Sequence, residues 1–172
     1  MEDNINLEYD CSIIRWNFKE KNFQHNINGI EYAAVQGKYI YVESFKDSSM
    51  FYYYISTDNK KIICYDEAKK MISINDKKVI IFEKKPYGVD ISNDATICVI
   101  ANEYEMILYD DSGQYKSSIM SPAGYKYFRF FSLENNISVI CQGCNENADN
   151  YGRNDWKFVY KDKNWIKEGL AY

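Results

Sequence analysis

Apolar and polar side chains alternate with a period close to two along almost the whole chain, in short runs broken by Asn, Asp, Gly and Lys. That period puts successive side chains on opposite faces of a strand. It predicts strands over Tyr9–Phe18, Gly29–Gln36, Tyr39–Phe45, Met50–Ser56, Lys61–Tyr65, Met71–Ile74, Val79–Glu83 and Gly88–Ile91. It continues with Thr96–Ala101, Met106–Tyr109, Tyr115–Ser118, Tyr125–Ser132, Ile137–Gln142, Trp156–Tyr160 and Trp165–Leu170. No window sustains an apolar stripe at helical spacing for the roughly 10–12 residues a helix needs. At most, Glu67 to Met71 forms one helical turn.

Three turn signals recur between these runs: Ile55-Ser56-Thr57-Asp58, Ile91-Ser92-Asn93-Asp94 and Phe131-Ser132-Leu133-Glu134. Their serines lie 36 and 40 residues apart, close to the period of a four-stranded propeller blade, about 40–45 residues. A serine and an acid two residues apart can bond to the turn's own backbone, which fits them for this position.

The clearest single unit runs from Tyr87 to Met120. It contains Gly88-Val89-Asp90-Ile91, then Thr96 to Ala101, then Met106 to Tyr109, then Tyr115 to Ile119, with the hairpin signal Asp110-Asp111-Ser112-Gly113 before the last. Four short strands in one meander resemble a blade of the WD40-like β-propeller families, although the Trp-Asp and Gly-His pairs of WD40 repeats are absent. The resemblance implies stacked sheets with loops exposed at two ends. The fold expected is therefore all-β, an antiparallel meander of four-stranded, blade-like, β-propeller-like units, with residues 1–172 forming a single domain. A β-sandwich is the alternative. In the last unit, Gly143 to Asp155 makes a connection far longer than the usual hairpin loop of 2–5 residues, and length alone marks it as a candidate site.

Composition narrows the class. With 172 residues and 46% hydrophobic side chains the chain can bury a core, while 17 tyrosines suit both pleated sheets and recognition surfaces. No apolar run approaches the roughly 20 residues of a membrane span, and the acidic start, Met1-Glu2-Asp3-Asn4, is unlike a secretory signal. A cytoplasmic location is expected. The five cysteines, an odd number, are expected to be free thiols.

Charge is uneven: residues 1–59 carry a net -4, residues 60–85 a net +4 and residues 86–172 a net -4. The positive stretch holds the pairs Lys60-Lys61, Lys69-Lys70, Lys77-Lys78 and Lys84-Lys85 at strand ends. Basic strips with interleaved aromatics can bind nucleic acid, but lysines also shield sheet edges, and an overall charge of -4 disfavours the nucleic-acid reading.

Candidate chemistry is sparse. Cys141-Gln142-Gly143-Cys144 has the spacing of a metal or redox pair, yet no second ligand pair exists, and Glu146 and Asp149 nearby would raise the thiol pKa. The motif reads as a strand end and loop anchor. Asn145 to Asp149 places oxygen side chains at alternate positions, but Asn150 and Trp156 stand where a calcium loop needs Gly and Glu. The only histidine, His25, is expected at a surface or turn. No metal, no cofactor and no catalytic set is expected.

The function expected is thus non-catalytic protein binding. Asp110, Asp111, Glu146, Asp149 and Asp155 would form an acidic patch with Tyr151, Arg153 and Trp156 as anchors, if the loops share one end of the fold. A small, acidic, all-β chain without a catalytic set resembles, in overall character, the immunity proteins of bacterial toxin systems. That resemblance implies a basic toxin, such as a nuclease, as the partner, with neither nucleic acid nor membrane involved. The alternative is a carbohydrate-binding or hydrolytic domain using residues 145–156, where Trp156 and tyrosines lie beside carboxylates.

Overall fold

The computed structural model describes residues 4–143, 145–147 and 155–171. Among them the chain is all-β, built of antiparallel meanders, with one short 3-10 turn at Asn145–Asn147. No helix among the described residues is long and apolar enough to cross a membrane. Contacts cluster into two compact units, Met1–Lys84 and Lys85–Tyr172.

The first unit holds a three-stranded sheet, β1 (Leu7–Tyr9), β2 (Ile13–Phe18) and β3 (Lys21–Asn26), and a six-stranded sheet. The larger sheet runs in sequence order through β4 (Ile30–Gln36), β5 (Tyr39–Lys46), β6 (Ser49–Ser56), β7 (Ile62–Asp66), β8 (Met71–Ile74) and β9 (Lys77–Ile81). Ile14, Trp16 and Ile27 pack with Ile30, Ala33, Ile40, Val42 and Ile55 into one core between these sheets. Each fully buried aliphatic side chain there contributes roughly 1.5–3 kcal/mol.

The second unit has two four-stranded sheets. One contains β10 (Gly88–Ile91), β11 (Ile97–Ile100), β12 (Glu105–Tyr109) and β13 (Tyr115–Met120). The other contains β14 (Tyr125–Ser132), β15 (Ile137–Gly143), β16 (Asp155–Lys161) and β17 (Asn164–Leu170). Cys98, Ile100 and Met106 of the first meet Tyr125, Tyr127, Val139, Cys141 and Phe158 of the second.

The repeat read from sequence is present, with one change. The serine turns join β6 to β7, β10 to β11 and β14 to β15, so each opens a four-stranded meander. The first meander is not a separate sheet: β4 and β5 extend it to six strands, because β5 pairs with β6 along eight residue pairs. Their hairpin is a two-residue turn, Asp47 and Ser48 at φ 52° and 61°. So tight a connection leaves the chain no slack to start a new sheet.

Two strand assignments also change. Tyr9–Phe18 is two strands, split where Asp10 Oδ1 accepts from the N–H groups of Ser12 (2.8 Å) and Ile13 (3.0 Å). Lys21–Asn26, absent from the predicted strands, is β3, entered through Lys19 and Glu20 at φ 48° and 63°. Glu67 to Lys70 is a turn with Lys70 N–H on the Glu67 carbonyl, and Met71 already belongs to β8.

Candidate partner-binding surface

The serine turns close on themselves. Ser56 Oγ donates to Asp58 Oδ1 at 2.8 Å and accepts from the N–H groups of Lys60 (3.0 Å) and Lys61 (2.9 Å). Ser92 Oγ likewise bonds to Asp94 and accepts from Thr96 N–H at 3.1 Å. In the third turn Glu134 N–H donates to Ser132 Oγ at 3.3 Å. Asp110 works in the reverse order: its Oδ1 accepts from Ser112 N–H (2.9 Å), Ser112 Oγ (2.6 Å) and Gln114 N–H (2.9 Å). These bonds hold the Asp110 carboxyl below its ordinary pKa, the Ser112 hydroxyl being the largest cause. Asp110 is thereby committed to its turn.

The structure does not gather the expected acids at one end of the second unit. The Asp110–Asp111 turn joins β12 to β13, at the end of that sheet shared with the Ser92 turn. The Glu146 segment lies at the other end, where Asn147 Nδ2 donates to the Gly124 carbonyl at 3.1 Å in the loop after β13. The six residues of β13 separate the two groups, a span of about 20 Å. Asp155 and Trp156 open β16 on the Glu146 side. Asp149, Tyr151 and Arg153 lie outside the described residues, as does Cys144.

Trp156 is held rather than free. Its indole N–H donates to the Asn147 carbonyl at 2.9 Å, and Lys167 Nζ sits 3.3 Å from the ring centroid. One ring face is therefore taken, which weakens the carbohydrate reading that relied on it.

Other candidates resolve locally. Cys141 is buried near the end of β15, and burial pushes its thiol up to about 12. His25 lies within β3, half-buried, stacked on Trp16 with ring centroids 5.7 Å apart. Of the two expected settings, surface or turn, the turn is excluded, since His25 is on the edge strand β3 and partly exposed. No cluster of three or more metal-ligating acids, cysteines or histidines occurs among the described residues. Of the paired lysines, Lys60 bridges Asp58 at 3.3 Å, Lys69 bridges Asp66 at 3.4 Å, and Lys70 Nζ donates to the Glu83 carbonyl at 2.8 Å.

What the sequence did not show is a strip of tyrosines and carboxylates across the six-stranded sheet. Register places Tyr41 opposite Tyr54 and Glu43 opposite Tyr52, so all four share one face. Tyr32, about half exposed at 48%, meets the Tyr41 ring edge-on at 6.3 Å, and Tyr41 meets Tyr54 at 5.2 Å. Tyr41 Oη donates to Glu43 Oε1 at 2.7 Å, and Tyr52 Oη donates to Glu67 Oε2 at 3.3 Å. Burial first, then the Glu67 charge, pushes the Tyr52 hydroxyl up to about 12, so it stays a donor at any physiological pH. Tyr52 stacks in turn on Tyr65, whose buried hydroxyl has no hydrogen-bond partner among the described residues. Two carboxylates are thus fixed beside aromatic faces, an arrangement that attracts cations both by charge and by ring quadrupole. The spacing Tyr39-Ile40-Tyr41-Val42-Glu43 carried part of this signal, but the run Phe51-Tyr52-Tyr53-Tyr54 concealed which rings share a face.

No protein-family model matches the chain, and no curated protein matches it. Among solved structures it is similar to the N-terminal domain of Nup159, at 12% identity over 94% of this chain and 40% of that one, with a TM-score of 0.42. It is also similar to a chain in the S. cerevisiae structure of Dbp5 bound to Nup159, Gle1, IP6 and ADP. There the identity is 8%, over 96% of this chain and 58% of the other, with a TM-score of 0.47. The chain thus spans 40% and 58% of the lengths of these two chains.

Proposed function

We propose that this chain is a non-catalytic, cytoplasmic protein-binding module, and specifically an immunity or inhibitor protein that neutralises a basic bacterial toxin, such as a nuclease, by direct binding. The observation that carries the reading is the strip of Tyr32, Tyr41, Tyr52, Glu43 and Glu67. Tyrosine supplies rigid contact area with little rotamer entropy to lose. Carboxylates pinned by tyrosine hydroxyls are already oriented for an incoming Lys or Arg, which lowers the ordering cost of association. The stretch through residue 59, which contains Tyr32, Tyr41, Tyr52 and Glu43, carries a net -4, and charge of that sign speeds encounter with a basic partner.

The test is calorimetry of the full chain with the toxin domain encoded beside its gene. A 1:1 complex is expected, with Glu43→Lys plus Glu67→Lys weakening it at least 30-fold, about 2 kcal/mol. Absence of a complex at micromolar concentration, or of any neighbouring toxin, overturns the immunity reading. A complex indifferent to the double substitution removes the strip from the interface.

A further inference from the structure

Strand β14 is an edge strand, and the register of its pairing with β15 shifts twice within eight residues. Tyr127 pairs with Cys141 and Arg129 with Ile140, leaving Phe128 without an opposite residue. Phe130 then pairs with Val139 and Ser132 with Ser138, leaving Phe131 unmatched in the same way. Each shift is a bulge that puts an extra residue outside the ladder and re-aims its side chain. Both extra residues are phenylalanines, and both are exposed, Phe128 at 44% and Phe131 at 53%. Phe130 between them stays half-buried against the core, close enough to Gly88 that a Cβ there would lie 3.1 Å from its ring. The bulges therefore keep one phenylalanine in and hold two out.

Arg129 stands between the expelled rings and is itself exposed. Its only hydrogen bond among the described residues is a long one, 3.5 Å, to the Phe130 carbonyl, with no carboxylate partner. Lys157 shares its rung, through Ile140, and therefore its face. Lys157 Nζ sits 4.3 Å from the Phe131 ring centroid and 2.8 Å from Glu168 Oε2. Lys157 is thus neutralised locally, whereas Arg129 is not.

We infer that Phe128, Arg129 and Phe131 form a docking epitope for an extended acidic segment of another protein, one that sets a carboxylate on Arg129 and apolar side chains against the two rings. A bulge can itself blunt a sheet edge, but edge protection does not account for the residues expelled here, since protected edges carry charge or Pro rather than large exposed aromatics. An aromatic–Arg–aromatic triplet instead has the residue types in which interface energy concentrates. A second copy of this chain is the wrong occupant. A twofold contact centred on Arg129 would set it against the same uncompensated cation of the other copy. The surface is distinct from the tyrosine–carboxylate strip and of opposite charge preference.

The test pans a displayed library of random dodecapeptides on the full chain, then measures synthetic copies of the enriched sequences by fluorescence anisotropy. Enriched peptides are expected to be acidic with interspersed apolar residues. They should lose at least 10-fold in affinity on Arg129→Glu and on Phe131→Ser, with the urea midpoint of each variant monitored. Arg129→Ala, which removes only an exposed cation, serves as the second variant if either of these lowers that midpoint. Failure to enrich, or peptides that bind Arg129→Glu and Arg129→Ala as tightly as the parent, overturns the inference. A concentration-dependent dimer abolished by Phe131→Ser overturns it as well, in favour of a second copy on this face.

Discussion

The indole N–H of Trp16 donates to the main-chain carbonyl of Thr57 at 2.8 Å, with both residues buried and 41 positions apart. Trp16 belongs to β2 of the three-stranded sheet, and Thr57 is the middle residue of the first serine turn, so one bond ties the two sheets of the first unit. His25 adds a second tie to the same turn, its Nε2 lying 2.6 Å from Asn59 Oδ1. A repeat turn is fastened across sheets in the second unit too, where Asn93 Nδ2 donates to the Glu134 carbonyl.

Trp16→Phe keeps an aromatic ring in the core and removes only the tie and part of the volume. Leaving the Thr57 carbonyl buried and unpaired costs roughly 1–3 kcal/mol, so the expected loss is about 2–3 kcal/mol. Urea unfolding followed by tyrosine fluorescence measures it. A loss below about 0.5 kcal/mol would show that the carbonyl finds another donor.

Gly29 joins the two sheets at φ +76°, and a Cβ on it would lie 2.1 Å from the Phe45 carbonyl oxygen. That oxygen is backbone and cannot swing aside, since Phe45 N–H already donates to the Gly29 carbonyl at 2.8 Å. Gly29→Ala is expected to destabilise by about 3 kcal/mol or more, because the clash with the Phe45 carbonyl adds to the roughly 1–3 kcal/mol of strain at a left-handed backbone position. Gly169, where an added Cβ meets nothing within 4 Å, is the control: Gly169→Ala should change stability by less than about 1 kcal/mol.

These two sites mark the boundary of what the sequence makes legible. The strand pattern and the serine repeat are local, and both can be read directly. β3 was concealed because Lys19 and Glu20 adopt positive φ without the Asn or Gly that normally announces such a turn. The Asp10 turn was concealed because Asp10-Cys11-Ser12-Ile13 lacks the glycine that marks the acid-first turn at Asp110-Asp111-Ser112-Gly113. The tyrosine–carboxylate strip needs register: nothing local in Phe51-Tyr52-Tyr53-Tyr54 shows that Tyr52 faces Glu43 across one rung and Tyr65 across the other. The separation of Asp110 from Glu146 follows from the three strands between them, β13, β14 and β15, and all three stand in the sequence pattern, so this much was legible by counting reversals.

Turn aspartates give stability an acid limb. Asp58 and Asp94 are held below the ordinary carboxyl range chiefly by the hydroxyls of Ser56 and Ser92, and Asp10 chiefly by the Ser12 N–H. A carboxyl whose pKa is lower folded than unfolded contributes stability that is fully present above the unfolded value, about 3.9 for Asp. That contribution is lost as pH falls through the folded value. The urea midpoint should therefore hold from pH 7 to about 5 and decline below about 4. Asp58→Asn with Asp94→Asn should lower the midpoint at pH 7 and make the acid limb shallower; an unchanged limb would place its origin elsewhere.

Thiol reactivity follows burial. Cys11 is exposed, whereas Cys98 and Cys141 are buried and Cys64 is half-buried. Burial is the largest cause raising the last three, Cys64 and Cys141 to about 12. In a Cys144→Ser background, a thiol reagent at pH 8 should label Cys11 quickly and the other three only on unfolding. Rapid labelling of two or more sites in the folded protein would contradict this packing.

Charge reversals on the two sets of acids should separate in any complex with a basic partner. Glu43 and Glu67 flank one ring, Tyr52, opposite the first in register and bonded to the second. Cations seated there feel both carboxylates, so Glu43→Lys and Glu67→Lys are expected to be non-additive, with a coupling of about 0.5 kcal/mol or more. Asp111 and Glu146 lie at opposite ends of β13, a span of about 20 Å, so Asp111→Lys and Glu146→Lys are expected to add within about 0.5 kcal/mol. Each should change affinity less than threefold at physiological salt, where the Debye length is about 8 Å. Asp111 is the right choice over Asp110, because replacing Asp110 would also open its turn. The measurement is a pair of double-mutant cycles by calorimetry. Strong coupling between Asp111 and Glu146 would mean that one partner spans both ends of the second unit, and would move the interface from the tyrosine strip back to the loops.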